Sequence, residues 1–454
     1  MKTAKARFRF KGGVHPAYHK ELSCAAPVRD LPLPGLLAVS MSQHLGAPAK
    51  CLVKPGDRVE RGMKIGEKNG FISCAVHSPA AGVVKSVETV PTATGAMAPA
   101  VFIETDPSAK GGVRLPRIDW RKASPADIVQ RAEECGICGM GGAGFPTSVK
   151  ISPPKGSKCD FLILNGAECE PYLTADHRLM LECPERVRDG AEILRRALGG
   201  PAVRIAVEEN KPDAIAALEK AFAGIDGDVE ITVLPCLYPQ GSEKHQIRAV
   251  TGRIVPEGAL PISTGCVVEN VSTAAALADA VEAGEPLVSR ITAVTGDGVA
   301  SPCNVRAPVG TRYSELCAFA GGETGKVAKV ISGGPMMGFN VPNLDIPTTK
   351  TTSGLLFLTE ASVFEYSSSP CIGCGRCMRA CPMNLSPAEI SRCVESGDIG
   401  GAEALWVMDC IECGSCSFSC PVRRDITQHC RRAKASIRAA RAIEAAKAKA
   451  AAKA

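Results

Sequence analysis

Aromatic residues are scarce in this chain, 4% of 454. With so few large rings, its cores must be built from small aliphatic side chains packed closely. No apolar run approaches the ~18 residues that a membrane-spanning helix needs, so a spanning segment is not expected. The opening stretch, MKTAKARFRFKGG, lacks the apolar core of a secretory signal. The body has no basic stripe interleaved with stacking aromatics, which argues against nucleic acid as a partner. Charged residues at 22% and apolar residues at 45% sit near the globular average and exclude a disordered polymer. The length implies several domains. What is plentiful is Gly (45), Pro (33) and Cys (22), a composition suited to tight turns, close backbone approaches and thiol chemistry.

The net charge of +6 is unevenly placed. Lys2, Lys5, Arg7, Arg9 and Lys11 face no acidic residue in the first eleven positions, and residues 421–454 carry ten basic against two acidic side chains. The body between is mildly acidic. Two basic tails suit a membrane surface or an acidic partner.

Residues 1 to about 110 alternate apolar and polar positions between Gly-bearing turns, which predicts short strands. From about 121 to 290 helical and strand patterns alternate. SPADIVQRAEEC opens a helix with Ser124 as N-cap and Pro125 at the first helical position. CDFLILNGAE, AVRIAVEEN and DVEITVLP predict buried strands, with ERVRDGAEILRRAL and KPDAIAALEKAFAG as helices between them. This is α/β layering on a mostly parallel sheet. Short strands return from 286 to 360, and a cysteine-rich helical segment follows from 366.

Eight cysteines fall into two runs. Cys371, Cys374, Cys377 and Cys381-Pro382 fit C-x₂-C-x₂-C-x₃-C-P, and Cys410, Cys413, Cys416 and Cys420-Pro421 fit it again. Zinc sites usually take paired cysteines with a gap between pairs. Two consecutive runs of four, each closed by Pro, point instead to two [4Fe–4S] clusters. In two-cluster ferredoxins the fourth cysteine of each run ligates the other cluster. The expected sets are therefore Cys371, Cys374, Cys377 with Cys420, and Cys410, Cys413, Cys416 with Cys381.

Gly139-Met-Gly141-Gly142-Ala-Gly-Phe145-Pro-Thr-Ser-Val-Lys150 lacks the ending of a P-loop and follows a helix rather than a strand. Its glycines still let backbone N–H groups approach an anion, with Lys150 to neutralise it. This stretch resembles the flavin loop of the NADH-binding flavoprotein subunit of respiratory complex I. Asn165-Gly-Ala-Glu168-Cys-Glu170-Pro171-Tyr-Leu-Thr-Ala-Asp176 resembles that family's second flavin motif. Gly241-Ser242-Glu243 stands where the family has Gly-Glu-Glu, and Asn270-Val-Ser-Thr273 resembles its Asn-Val-Glu-Thr segment. The resemblance implies non-covalent FMN with NAD(H) stacked over it. It places Gly139, Gly141, Gly142 and Lys150 around the FMN phosphate and ribityl chain. Asn165, Glu168 and Asn270 would bond FMN, Phe145 would face the nicotinamide, and Glu243 would bond the NADH ribose. Ser242 departs from the family pattern. No catalytic nucleophile or general base is implied, because a flavin carries the chemistry itself.

The N-terminal motifs Phe10-Lys-Gly-Gly-Val-His-Pro16, Ser42-Gln-His-Leu-Gly-Ala-Pro48 and Val76-His-Ser-Pro-Ala-Ala-Gly82 resemble the start of the RnfC component of the Rnf electron-transport complex. Ile331-Ser-Gly-Gly-Pro-Met336-Met337-Gly338 belongs to the same pattern. The resemblance covers essentially 7–435. It implies a peripheral subunit on the cytoplasmic face of the cell membrane, working with other subunits to couple electron transfer between ferredoxin and NAD to ion movement. The alternative is the cobalamin reductase of the propanediol-utilisation type, which normally begins near the flavin loop. The expected fold class is multidomain α/β plus β plus α. A barrel-sandwich (lipoyl-like) docking unit spans 1–115, the FMN/NADH-binding α/β unit 116–285, a β-grasp unit 286–362 and a ferredoxin-type helical two-cluster unit 363–435. A basic Ala/Lys-rich tail covers 436–454.

Other features are weighed against plainer roles. The lipoyl-like hairpin tip near Asn69-Gly70-Phe71 lacks the flanking signature of a carrier lysine, so docking is expected, not a swinging arm. Cys135 and Cys138 form a lone C-x-x-C and are expected to be buried thiols. Cys24, Cys51, Cys74 and Cys430 are expected to pack ordinarily. His15, His44 and His77 are expected in turns and interfaces, not around a metal.

Overall fold

The computed structural model describes residues 1–451 apart from 155 and 364; positions 452–454 of the expected tail lie outside the described residues. The alternating stretch folds as its pattern dictates. Strands β1 (Lys2–Lys5), β2 (Phe161–Gly166), β3 (Ala202–Glu208), β4 (Val229–Leu234) and β5 (Cys266–Asn270) form one parallel sheet in the order β1-β4-β3-β2-β5. Successive residues of β2 serve opposite faces. Leu162 and Leu164 join the larger core with helices α1 (Pro125–Glu134), α2 (Pro184–Ala197) and α4 (Val271–Ala278), while Ile163 joins Ile247 and Ala249 of α3 (Glu243–Thr251) on the other side. Covering both faces explains why these strands are almost continuously apolar. The start of α1 is a capping box. Ser124 Oγ accepts from the Asp127 amide at 3.2 Å, and the Asp127 carboxylate accepts from the Ser124 amide at 2.8 Å.

Two short stretches of the first thirty residues pair outside the N-terminal unit. Lys2–Lys5 is the edge strand of the flavin-unit sheet, paired in parallel with β4, and Lys2 forms an ion pair with Glu230 at 3.1 Å. Part of the expected basic N-terminal tail is therefore sheet. Arg29–Asp30 pairs with Cys303–Pro308 at the edge of a different sheet. The barrel-sandwich proper begins near Leu36. It packs the four-stranded sheet Leu36–Ser40, Met97–Thr105, Gly82–Pro91, Arg58–Val59 against the three-stranded sheet Lys50–Cys51, Lys64–Glu67, Val76–His77. Leu37, Val39, Ile65, Val76, Val101 and Ile103 fill the space between them.

The third unit is a mixed six-stranded sheet built on Ser289–Thr295, with the helix Tyr313–Phe319 closing its core through Tyr313 and Leu316. The fourth is helical. Short helices Arg376–Ala380, Pro387–Glu395, Ile399–Ala404 and Ser415–Phe418 gather on α5 (Ile426–Ala451), whose Cys430, Ala433 and Ile437 pack against Ile390, Val394 and Val407. Among the described residues, no helix is long and apolar enough to cross a membrane.

Candidate functional site

The C-terminal ends of β2 and β5 lie side by side, with Asn165 and Asn270 directly in register. Ligand crevices of open parallel sheets form at such strand ends, where chains leave for opposite sides. Here Asn165 is the last but one residue of β2, and Asn270 ends β5 and caps α4, accepting from the Ser272 amide at 2.8 Å. Between them sits the glycine loop. Its base is closed by Gly139 N–H donating to the Phe145 carbonyl at 2.8 Å. Its middle is held by the Met140 amide on Thr273 Oγ1 and by Arg290 on the Met140 carbonyl, each at 2.9 Å. Gly141 and Gly142 form an exposed rim. A Cβ on Gly141 would stand 2.9 Å from Asn270 Nδ2, whereas one on Gly142 would meet nothing within 4 Å. Glycine is required at the first position by the floor of the crevice and is free at the second on its protein side.

The structure brings the remaining expected residues to the same place and gives several of them protein partners. Asn165 donates to the Gly241 carbonyl at 2.9 Å, and its Oδ1 accepts from the Ala167 amide and from Gln246. Glu168 adopts a left-handed backbone (φ 46°), and its carboxylate accepts from the Asp176 and His177 amides. That anion sits at the N-terminus of the helix Ala175–Glu182, where the helix dipole favours it. Asn270 donates to Asp176 at 2.6 Å. The side chains of Glu168 and Asn270 thus shape the crevice. Lys150 and Glu243 form an ion pair at 2.8 Å. Burial pushes the Lys150 ammonium down, but neighbouring Glu269 and Glu243 outweigh it and leave it raised. Burial lifts the Glu269 carboxyl to about 7 against the pull of Lys150.

Thr147 Oγ1, Gln246 Oε1 and Glu269 Oε1 are buried without hydrogen-bond partners. Of these, only the Thr147 hydroxyl can donate; with the exposed glycine rim and the half-buried Lys150 ammonium it fits an anionic group such as a flavin phosphate, while the two acceptor oxygens await donors of a polar ligand. Asp176, at the end of the second flavin motif, and Gln246 hold the two asparagines. Gln246, the wall residue Glu269 and Lys20 escaped sequence reading. Buried Lys20 donates to the carbonyls of Glu168, Glu170 and Leu173 at 2.8, 3.0 and 2.5 Å. Lys20 could not have been found by spacing, since about 150 residues separate it from the loop it holds.

The cysteine runs cross over in space. Cys381, from the first run, lines one cavity with Cys410, Cys413 and Cys416 of the second. Cys420, from the second run, packs with Cys377 of the first, whose neighbours Cys371 and Cys374 are exposed. Among the described residues, no three His, Cys, Asp or Glu side chains converge tightly enough for a single metal ion. Cys381, Cys410, Cys413 and Cys416 instead border a shared cavity. Each has a hydrogen-bond partner. The Leu385 amide donates to Cys381 and the Glu412 amide to Cys410, both at 3.4 Å, while Ser415 and Thr427 hydroxyls lie 3.4 and 3.5 Å from Cys413 and Cys416. This cavity abuts the flavin unit. The Tyr238 hydroxyl donates to the Cys413 carbonyl at 2.8 Å, and the Gly13 amide donates to the Ala380 carbonyl at 3.0 Å.

The declined features hold plain positions. Cys135 and Cys138 are fully buried, and burial pushes the Cys135 thiol up to about 12, far from reactive. His44 Nε2 accepts from the Cys74 amide, His77 is buried and His15 is exposed.

Comparison with known proteins agrees with this geometry. Residues 132–279 match the Nuo51 FMN-binding domain, 8–108 the RnfC barrel sandwich hybrid domain, 291–340 the SLBB domain and 363–386 a 4Fe-4S binding domain. The C subunit of the proton-translocating ferredoxin:NAD(+) oxidoreductase complex of Clostridium ljungdahlii is 42% identical over 383 residues, covering 84% of this chain and 83% of its own. The C subunit of the Na(+)-translocating ferredoxin:NAD(+) oxidoreductase complex of Acetobacterium woodii is 43% identical, covering 84% and 86%. The C subunit of the ion-translocating oxidoreductase complex of Rhodobacter capsulatus is 41% identical, covering 88% and 78%. A chain of the air-oxidized NAD+-reducing [NiFe]-hydrogenase superposes with a TM-score of 0.50 at 21% identity. It matches 69% of this chain and 63% of its own, less than two thirds, and shows a shared fold. With an FMN-binding domain, a 4Fe-4S binding domain and the barrel-sandwich unit in one order, this chain belongs to the RnfC family, the C subunits of ion-translocating oxidoreductase complexes.

Proposed function

We propose that the chain is the NAD(H)-handling subunit of a membrane-bound ferredoxin:NAD oxidoreductase. In this reading it passes electrons between NAD(H), non-covalent FMN and two [4Fe–4S] clusters, in a complex that couples the transfer to ion translocation. The observation that carries the reading is adjacency: the crevice at Asn165 and Asn270 and the cavity ringed by Cys381, Cys410, Cys413 and Cys416 are joined through the segment Tyr238–Glu243. When bound, FMN would take up one hydride, an electron pair, and release the two electrons singly, which is the chemistry needed between a two-electron carrier and one-electron clusters.

The residues divide the task. Gly139, Gly141 and Gly142 leave backbone room for the phosphate, and Lys150 supplies the compensating charge. Asn165, Glu168 and Asn270 fix the crevice floor. Phe145 and Glu243 stand on its rim for the nicotinamide and ribose of NAD(H). The inner cluster is held by Cys410, Cys413, Cys416 and Cys381, and the outer by Cys371, Cys374, Cys377 and Cys420. Around the outer set, Ile372 and Phe418 are exposed at 63% and 47%, a surface suited to a partner protein of the complex. The unit matched over 8–108 favours this reading over a cobalamin reductase, which normally begins near the flavin loop. A peripheral position on the cytoplasmic face accords with the family and with the absence of a spanning helix among the described residues.

Anaerobically purified protein should contain about one FMN and about eight irons per chain. NADH should bleach the flavin band, and cluster reduction should follow. Colourless protein, or zinc in place of iron and sulfide, would overturn the reading.

A further inference from the structure

The glycine loop is backed by a buried cation with unused donors. Arg290 lies on Ser289–Thr295, the strand on which the third unit is built, and is 3% exposed. Its Nη2 donates to the Met140 carbonyl at 2.9 Å, while its Nε and Nη1 are buried without hydrogen-bond partners among the described residues. A guanidinium keeps its charge at any ordinary pH. Burying such a charge is costly unless a counter-charge offsets it. Burial does work against Arg290, and Asp176, Glu168 and Cys138 offset that only in part. The two carboxylates are engaged elsewhere. Asp176 accepts from Asn270 at 2.6 Å and from the Ser272 hydroxyl at 2.5 Å, and Glu168 accepts from the Asp176 and His177 amides.

The bond to Met140 also aims the loop. A trans peptide holds its C=O and N–H on opposite sides. The Met140 carbonyl is turned inward onto Arg290, so the N–H of the same peptide, that of Gly141, faces the other way, toward the exposed rim. The preceding peptide is fixed as well, by the Met140 amide on Thr273 Oγ1 at 2.9 Å. The amides of Gly141, Gly142 and Ala143 have no acceptor among the described residues. A charged donor on a carbonyl polarises the peptide and strengthens its N–H as a donor. Arg290 therefore stands behind the loop, and the acceptor of the Gly141 amide belongs in front of it.

We propose that Arg290 is a positioning residue for a phosphate monoester: it holds the Met140–Gly141 peptide with its N–H toward the ligand, and the phosphate across the loop is its counter-charge. The inference rests on the flavin reading above and adds to it a residue from outside the flavin unit. Lys150 is already paired with Glu243 at 2.8 Å, whereas Arg290 engages a single carbonyl among the described residues. The guanidinium is thus the cation of this crevice that most needs an anion from the ligand.

The test compares FMN with riboflavin, which lacks only the phosphate, by fluorescence titration of the flavin-free full chain. Native protein should bind FMN more tightly than riboflavin. Arg290→Gln keeps an N–H donor and removes the charge. It should weaken FMN binding by about tenfold to hundredfold and leave riboflavin binding within about twofold of native. Arg290→Lys, which keeps the charge, should retain most of the preference for FMN. An unchanged FMN affinity in Arg290→Gln overturns the proposal. So does an equal loss of both flavins, which marks a residue that only holds the fold, and so does a lysine variant that behaves as the glutamine one. Native protein that binds the two flavins equally overturns it too. If the glutamine variant does not fold, Arg290→Met is read by the same criteria. Failure of the flavin reading is separate and shows first, as native chain that binds neither flavin.

Discussion

Gly141 and Gly142 are neighbours in sequence with unequal surroundings, and the difference can be measured. An alanine methyl at 141 would press on Asn270 at 2.9 Å from Nδ2, 3.1 Å from Cβ and 3.2 Å from Cγ. Asn270 cannot yield easily, because its amide is held by Asp176 and its carbonyl caps α4. Gly141→Ala should therefore weaken FMN binding by at least about tenfold, or ~1.4 kcal/mol, and lower the melting temperature. Gly142→Ala meets no protein atom within 4 Å and should leave the melting temperature of the FMN-free chain unchanged. Any weakening of FMN binding there would report the ligand's own approach to the loop. FMN fluorescence titration and calorimetry on both variants separate the two cases; equal behaviour of the pair would remove the crevice from this loop.

At the scale of elements, the segment before the barrel-sandwich belongs energetically to the flavin unit. Lys20 places an ammonium among three carbonyls of the 168–173 turn, in which both Glu168 and Tyr172 have positive φ. Burial alone would drive its charge off, and Glu168 nearby helps to retain it. Lys20→Met keeps the volume and leaves buried carbonyls without donors, which should cost on the order of 3 kcal/mol. Thermal unfolding and FMN retention should both fall, while limited proteolysis of the Leu36–Thr105 sandwich stays native. Preserved FMN affinity would count against the segment's role. The same element marks where sequence reading ends. The cysteine runs were legible because their spacing is local, and Cys381 does line one cavity with cysteines of the second run. Asn165 and Asn270 were legible because each stands in the last two positions of an apolar strand inside a motif. Lys2–Lys5 was read as charged tail because an edge strand needs few apolar residues, and its partner β4 lies more than 220 positions away. Lys20 and Gln246 act through tertiary contacts for which no periodicity exists.

At the scale of the whole molecule, Glu170 is where three units meet. It extends from the flavin unit and accepts from the Met336 and Met337 amides of the β-grasp unit at 3.1 and 2.9 Å. Tyr238 links it to the cluster unit: its hydroxyl donates to the Cys413 carbonyl at 2.8 Å and lies 3.3 Å from the Glu170 carboxyl. Burial pushes the Glu170 carboxyl up to about 7, with the amides, Tyr238 and Lys20 pulling the other way. Released from the junction, the carboxyl would return to its ordinary value near 4.5. The assembled junction therefore binds more protons than the opened one between those values. Its contribution to assembly is fully present below about pH 4.5 and is lost as pH rises through about 7. Hydrogen exchange at the Tyr238 and Met336 segments should accordingly speed up between about pH 4.5 and pH 7, beyond the intrinsic rise in exchange chemistry, and show no excess above that. Glu170→Gln, neutral throughout, should flatten that excess while keeping an acceptor for the two amides. An identical pH slope in the native chain and in Glu170→Gln would show that the three units are joined without regard to this carboxyl, and that the proximity of crevice and cavity is set by the apolar contact of Val14, Tyr238 and Ala380 alone.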